Sequence, residues 1–200
     1  VLDELSLVSV LDALLNDCPG DLELVHEYDQ PPSNEFLVQE FFGTDFSRCY
    51  LALQSLCGRP ADEIWPLLHQ RWIEEAHNDY GAHYFFVRLF GSRCDWPNNA
   101  RPIIEKILDE AIVSQRPQFM KSKPAAILSL YRLGFVVEQD RLSQLLLSDS
   151  MPFWEGRYAA LMLLCDSKFD SERVHFLELL SSDPNPYVAA RAKAMLHDSV

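Results

Sequence analysis

Several patterns that commonly mark a fold or a chemistry are scarce or missing in this chain. Glycine occurs only 7 times in 200 residues, too seldom for a turn-rich β fold. Bases are nearly absent from the first quarter. Between Val1 and Tyr50, eleven Asp and Glu accompany one base, Arg48, a net −10 out of the chain's −13. Such a field repels nucleic acid and anionic membrane and attracts basic protein surfaces. No two cysteines form a CxxC pair. Cys18, Cys49, Cys57, Cys94 and Cys165 are odd in number and widely spaced, which predicts free, mostly buried thiols in a reducing compartment. No apolar run reaches the roughly 18 residues of a membrane span. The N-terminal apolar stretch follows Asp3 and Glu4 and is interrupted by Asp12, unlike a secretion signal. A cytoplasmic location is expected.

Catalytic signatures are missing as well. There is no HExxH, GxSxG, GxGxxG or P-loop. His69, His77 and His83 share a stretch with Glu74, Glu75 and Asp79. On one helix, however, His69 and His77 stand about 12 Å apart, too far for a single ion. One His-Glu pair, His26-Glu27, is not repeated. These readings predict no catalytic set, no metal and no cofactor. Arg116, Lys121, Lys123 and Arg132 are the nearest approach to a basic patch.

What the chain does have is helical periodicity and apolar mass, with 48% hydrophobic residues. Leu2, Leu5, Val8, Leu11, Leu14 and Leu15 form one stripe of a first helix. Ser33 is placed to cap a helix running to Phe42, and Thr44 or Asp45 to cap another ending near Gly58. Helices are predicted over 61–78, where Pro66 is tolerable only near the first turn, and over 79–90. The crowding of Tyr84, Phe85, Phe86 and Phe90, with Trp65 and Trp72 on the preceding helix, reads as the core of a helical hairpin.

From residue 100 a period of 34 becomes visible. Leu145, Leu146, Ser148, Asp149, Pro152, Arg157 and Ala160 recur as Leu179, Leu180, Ser182, Asp183, Pro186, Arg191 and Ala194. Phe119, Lys123 and Ala126 hold the same register one period earlier. Each unit reads as a helix ending in an apolar pair, a Ser-Asp-x-x-Pro turn, and a second helix carrying a base and a small residue. Pro152 and Pro186 suit helix starts, and Asp149 and Asp183 can accept from exposed helix N–H groups. Arg157 and Arg191 can bridge to acidic turns of neighbouring units. These six residues are the expected repeat-stabilising set.

Asp183-Pro184-Asn185-Pro186-Tyr187-Val188 with Arg191 and Ala194, and Asp149 to Pro152 with Arg157 and Ala160, resemble HEAT repeats. The base comes later in the second helix than that family's usual Val-Arg pair. The resemblance implies an all-α fold, a right-handed superhelix of stacked antiparallel helix pairs with about five to six hairpins. Residues 1–99 are expected to form an acidic, irregular helical region and residues 100–200 the regular repeats of one continuous solenoid.

HEAT-like proteins mostly hold other macromolecules, and a bare hairpin array supplies no chemistry. The leading expectation is therefore a non-catalytic scaffold, in its sharper form an immunity or inhibitor protein that neutralises a basic protein partner. Nucleic acid is disfavoured as a partner by charge. Asp21, Glu23, Glu27, Asp29, Glu35 and Glu40 are the expected acidic contacts, and Trp154 a possible aromatic anchor at a hairpin rim. The alternatives are a HEAT-like enzyme, of the type that attaches bilin pigments or removes damaged DNA bases, and a structural subunit of a larger assembly.

Overall fold

The computed structural model of the chain describes residues 31–75, 80–114, 122–165 and 169–198. The apolar stripe of Leu2 to Leu15, together with Cys18, His26, His77, Arg116, Phe119 and Lys121, lies outside the described residues. So do Asp21, Glu23, Glu27 and Asp29. Among the described residues every regular element is a helix and no strand occurs. None of these helices is long and apolar enough to cross a membrane. Backbone contacts divide the chain into two compact units, whose described parts are 31–133 and 134–198. The period read from the sequence runs across that division.

The first unit contains α1 (Asn34–Phe41), α2 (Phe46–Cys57), α3 (Ala61–Glu75), α4 (Tyr80–Gly91), α5 (Arg101–Val113) and α6 (Ser122–Arg132). Local chemistry sets most of the boundaries. Ser33 Oγ accepts from Phe36 N at 3.2 Å and caps α1. Asp45 Oδ1 accepts from Ser47 N and Arg48 N at 3.0 and 3.2 Å and caps α2, which Gly58 ends. Pro66 sits inside α3, a turn deeper than the sequence reading allowed. Pro66 has no N–H to donate to the Asp62 carbonyl, but both residues are exposed, so water can take that role.

Neighbouring helices pack together, α1 on α2 and α5 on α6, and alternate helices pack as well, α1 on α3, α2 on α4 and α4 on α6. That is the local pattern of stacked hairpins. The core is aromatic at one end. Phe41, Phe86 and Phe90 form an edge-on series with centroids 5.4 and 5.0 Å apart, and Trp72 closes on Phe86 at 4.8 Å. Trp96 is buried against Phe90 and donates its Nε1–H to the Phe90 carbonyl at 3.0 Å. Where α4 meets α6 the backbones approach closely. A Cβ at Gly91 would overlap Ser129, whose hydroxyl bonds the Val87 and Ala125 carbonyls.

The second unit contains α7 (Gln139–Leu146), α8 (Trp154–Ala160, continuing into a 3-10 turn at Leu161–Cys165), α9 (Asp170–Leu180) and α10 (Pro186–Asp198). Helices α7 and α8 pack as one pair and α9 and α10 as another, with α8 also against α10. First helices end 34 residues apart, at Leu146 and Leu180. Second helices start only 32 apart, at Trp154 and Pro186. The later turn is two residues shorter, and this changes the register. Ala160 is buried, but its sequence mate Ala194 is exposed, and Ala192 takes the buried small position. Pro186 is the first residue of α10, whereas Pro152 lies two residues before α8.

Candidate functional site

The recurrent residues occupy unequal positions. Arg157 is buried and forms a two-bond ion pair with Asp183, Nε to Oδ2 and Nη2 to Oδ1, both 2.8 Å, while Nη1 donates to the Met151 carbonyl at 2.7 Å. Asp183 Oδ1 also accepts from Asn185 N in its own turn at 2.8 Å. Asn185, not Asp183, then caps α10 through Tyr187 N at 2.9 Å. Asp149 is exposed, and α8 begins without a side-chain cap. Arg191 is half-buried, and its Nε is enclosed without an acceptor. The two-residue register change separates it from the position that Arg157 holds. Lys123 is buried like Arg157, donates to the Ile112 carbonyl, and has its ammonium pushed below its usual range by burial. A buried Lys123 cannot join a surface patch with Arg132.

The remaining expected contacts disperse. Trp154 is half-buried rather than standing clear at a rim. It meets Tyr187 at 5.4 Å and Tyr158 edge-on at 6.3 Å. Beside it, burial pushes the Glu155 carboxyl up, opposed by its backbone hydrogen bond and by Arg157. Glu40 pairs with Arg48 at 3.1 Å. Glu35 is exposed and lines an open cleft of about 380 Å³ between α1 and α3, with Gln39, Gln70, Arg71 and Glu74. A second cleft of similar size shares Gln39 and Arg71 and runs past Glu40, Phe42, Asp45 and Arg48. The Arg71 guanidinium lies over the Phe42 ring at 6.0 Å. No cluster suited to a metal ion occurs among the described residues. His69 instead stacks on Trp65 and the buried His83 meets Trp72 edge-on.

One surface feature was not singled out from the sequence. Along the seam of α2 and α4, side chains meet in successive pairs. Phe46 stacks on Tyr84 with centroids 6.4 Å apart and planes 19° apart. Arg88 lies over Tyr50 at 5.6 Å and over Tyr84 at 5.7 Å. Cys57 Sγ meets Ser92 Oγ at 3.3 Å. Phe46 is 58% exposed, and Tyr50, Tyr84 and Arg88 are half-exposed. The Arg88 Nε is enclosed without an acceptor. The readable signal was the four-residue spacing of Phe46 with Tyr50 and of Tyr84 with Arg88, which places each pair on one helix face.

Comparison with known proteins bears on the functional expectations. The chain is 49% identical over 150 residues to the bilin biosynthesis protein CpeY of Synechococcus sp. (strain WH8020), which is 74% of this chain and 36% of that protein. It is similar to a bilin biosynthesis protein. It is also 38% identical over 124 residues, 62% of this chain and 28% of the other, to the uncharacterized phycocyanin operon protein Y of Pseudanabaena tenuis (strain PCC 7409). The chain thus spans about a third of the length of the relatives it matches. No protein-family profile and no solved structure matches it, so the HEAT likeness stands on helical-hairpin architecture alone. The similarity to CpeY overturns the expectation of a non-catalytic scaffold and, with it, that of an immunity protein for a basic partner. Acidity misled because a negative surface also serves solubility and does not by itself specify a partner.

Proposed function

We propose that the chain belongs to an enzyme of bilin metabolism that handles an open-chain tetrapyrrole and delivers it to an acceptor protein, as a bilin lyase. The observation that carries this reading is the 49% identity over 150 residues to a protein named for bilin biosynthesis. The second relative's name refers to a phycocyanin operon, which points to a biliprotein as the acceptor. Attachment of a bilin adds a cysteine S–H of the acceptor across an exocyclic C=C bond of the pigment. Sulfur bonds to one carbon, the proton goes to the other, and nothing leaves. Such a reaction requires positioning of two partners more than it requires strong acids or bases. That suits a helical scaffold without a recognisable catalytic set. Among the described thiols only Cys49 is buried, whereas Cys94 and Cys165 are exposed, against the expectation of mostly buried thiols.

The test mixes the purified chain, a bilin and the apo form of an acceptor biliprotein, then denatures the mixture and reads bilin fluorescence on the acceptor band. Covalent pigment above the chain-free background is expected. Equal labelling with and without the chain, also when the full-length relative is active under the same conditions, would remove the reading for this segment.

A further inference from the structure

We infer that the seam between α2 and α4 is the tetrapyrrole platform, with Phe46, Tyr50 and Tyr84 taking the conjugated rings and Arg88 taking a propionate. This inference rests on the proposed bilin chemistry and adds the site.

Three observations converge on the seam. The first is shape. From Phe46 to Cys57 the line of paired side chains is about 16 Å long by helical rise, a strip rather than a hole, which suits a ribbon-like pigment. The second is composition. Phe46 exposes 58% of its surface at the start of α2, although Phe41, Phe85, Phe86 and Phe90 behind it are buried. Its ring lies nearly parallel to Tyr84, and it also touches Phe85 at 4.8 Å, so the exposed face is held by the core. Conjugated ligands gain from stacking on such fixed rings. The third is charge. Arg88 stands between two tyrosine rings, which fix the guanidinium without neutralising it. A guanidinium matches a carboxylate in two parallel hydrogen bonds.

The two clefts beside Arg71 are the rival location, and electrostatics disfavours them. Glu35, Glu40, Asp45 and Glu74 line them against Arg48 and Arg71, and Arg48 is already bonded to Glu40. A pigment carrying two propionates would meet an excess of like charge there. None of the seam residues that form the ring and cation pairs is acidic.

The experiment titrates the full chain with biliverdin and with biliverdin dimethyl ester, following visible absorption. Against the wild type, Arg88→Met is expected to bind the diacid about ten-fold more weakly. The ester is expected to lose a similar factor on the wild type and nothing further on Arg88→Met, since both changes remove the same interaction. Phe46→Ala, at a position 58% exposed, is expected to weaken both ligands several-fold. Lys106→Ala, on the exposed side of α5, is the unchanged control. Equal affinity of Arg88→Met and wild type for the diacid would overturn the inference and leave the bilin reading intact. So would a loss confined to Arg71→Ala, which would move the pigment to the clefts. A wild-type chain that binds neither ligand would overturn both. The ester comparison on the wild type needs no variant, so a poorly folding Arg88→Met does not block the test.

Discussion

Arg157 shows how much one side chain can hold. It is buried, donates twice to Asp183 and once to Met151, and so joins the turn before α8 to the turn before α10. We propose it as the principal tie between the last two hairpins. Removing one partner leaves the other charge buried and uncompensated, which costs about 3 kcal/mol or more. Asp183→Asn is therefore expected to lower the unfolding midpoint in urea clearly, whereas Arg191→Met, at a half-buried position, should change it little. Equal effects would show the two arginines to be equivalent after all. A second residue-scale expectation concerns Glu155. Its folded carboxyl holds its proton above the ordinary value of 4.5, so its contribution to stability is full below that pH and is lost as pH rises through the raised folded value. In urea melts between about pH 4 and about pH 7, Glu155→Gln should lose less stability with rising pH than the wild type does. A slope unchanged in the variant would assign it to other groups.

At the scale of elements, much was legible because the signals are local. Ser33 and Asp45 cap the helices that their sequence neighbours start, and the crowded aromatics of α3 and α4 form the core, except Tyr84, which stands half-exposed on the seam. The recurrence of a base and an acidic turn also led toward the Arg157–Asp183 pair. Two features were not legible. The turn before α10 is two residues shorter than the turn before α8, and residue identity at a fixed interval conceals such a change. The α2–α4 seam draws on residues 38 apart in pairs such as Tyr50 and Arg88, each unremarkable in its own segment. Close helix approach is a further case, since Gly91 marks the end of α4 in sequence but in the fold also makes room for Ser129. Gly91→Ala is expected to cost about 2 kcal/mol through overpacking, read as a lowered thermal midpoint, with partial recovery on adding Ser129→Gly. A neutral Gly91→Ala would mean that α4 and α6 separate without penalty.

For the molecule as a whole, periodicity predicted the all-helical architecture, whereas the bilin-attaching enzyme that the comparisons favour stood only as an alternative to a binding scaffold. Net charge is a property of the surface, and here it led toward a basic protein partner. The catalytic motifs missing from the sequence serve reactions needing a nucleophile, a metal or a nucleotide. The proposed thiol addition to a pigment needs mainly that two partners be held in register, which leaves no short motif. The account therefore turns on whether this chain holds an open-chain tetrapyrrole. Visible circular dichroism of biliverdin titrated with the purified chain tests this most directly. A saturable induced signal, reduced about ten-fold in apparent affinity by Arg88→Met, is the expected result. A pigment spectrum that stays optically inactive at every protein concentration would contradict it.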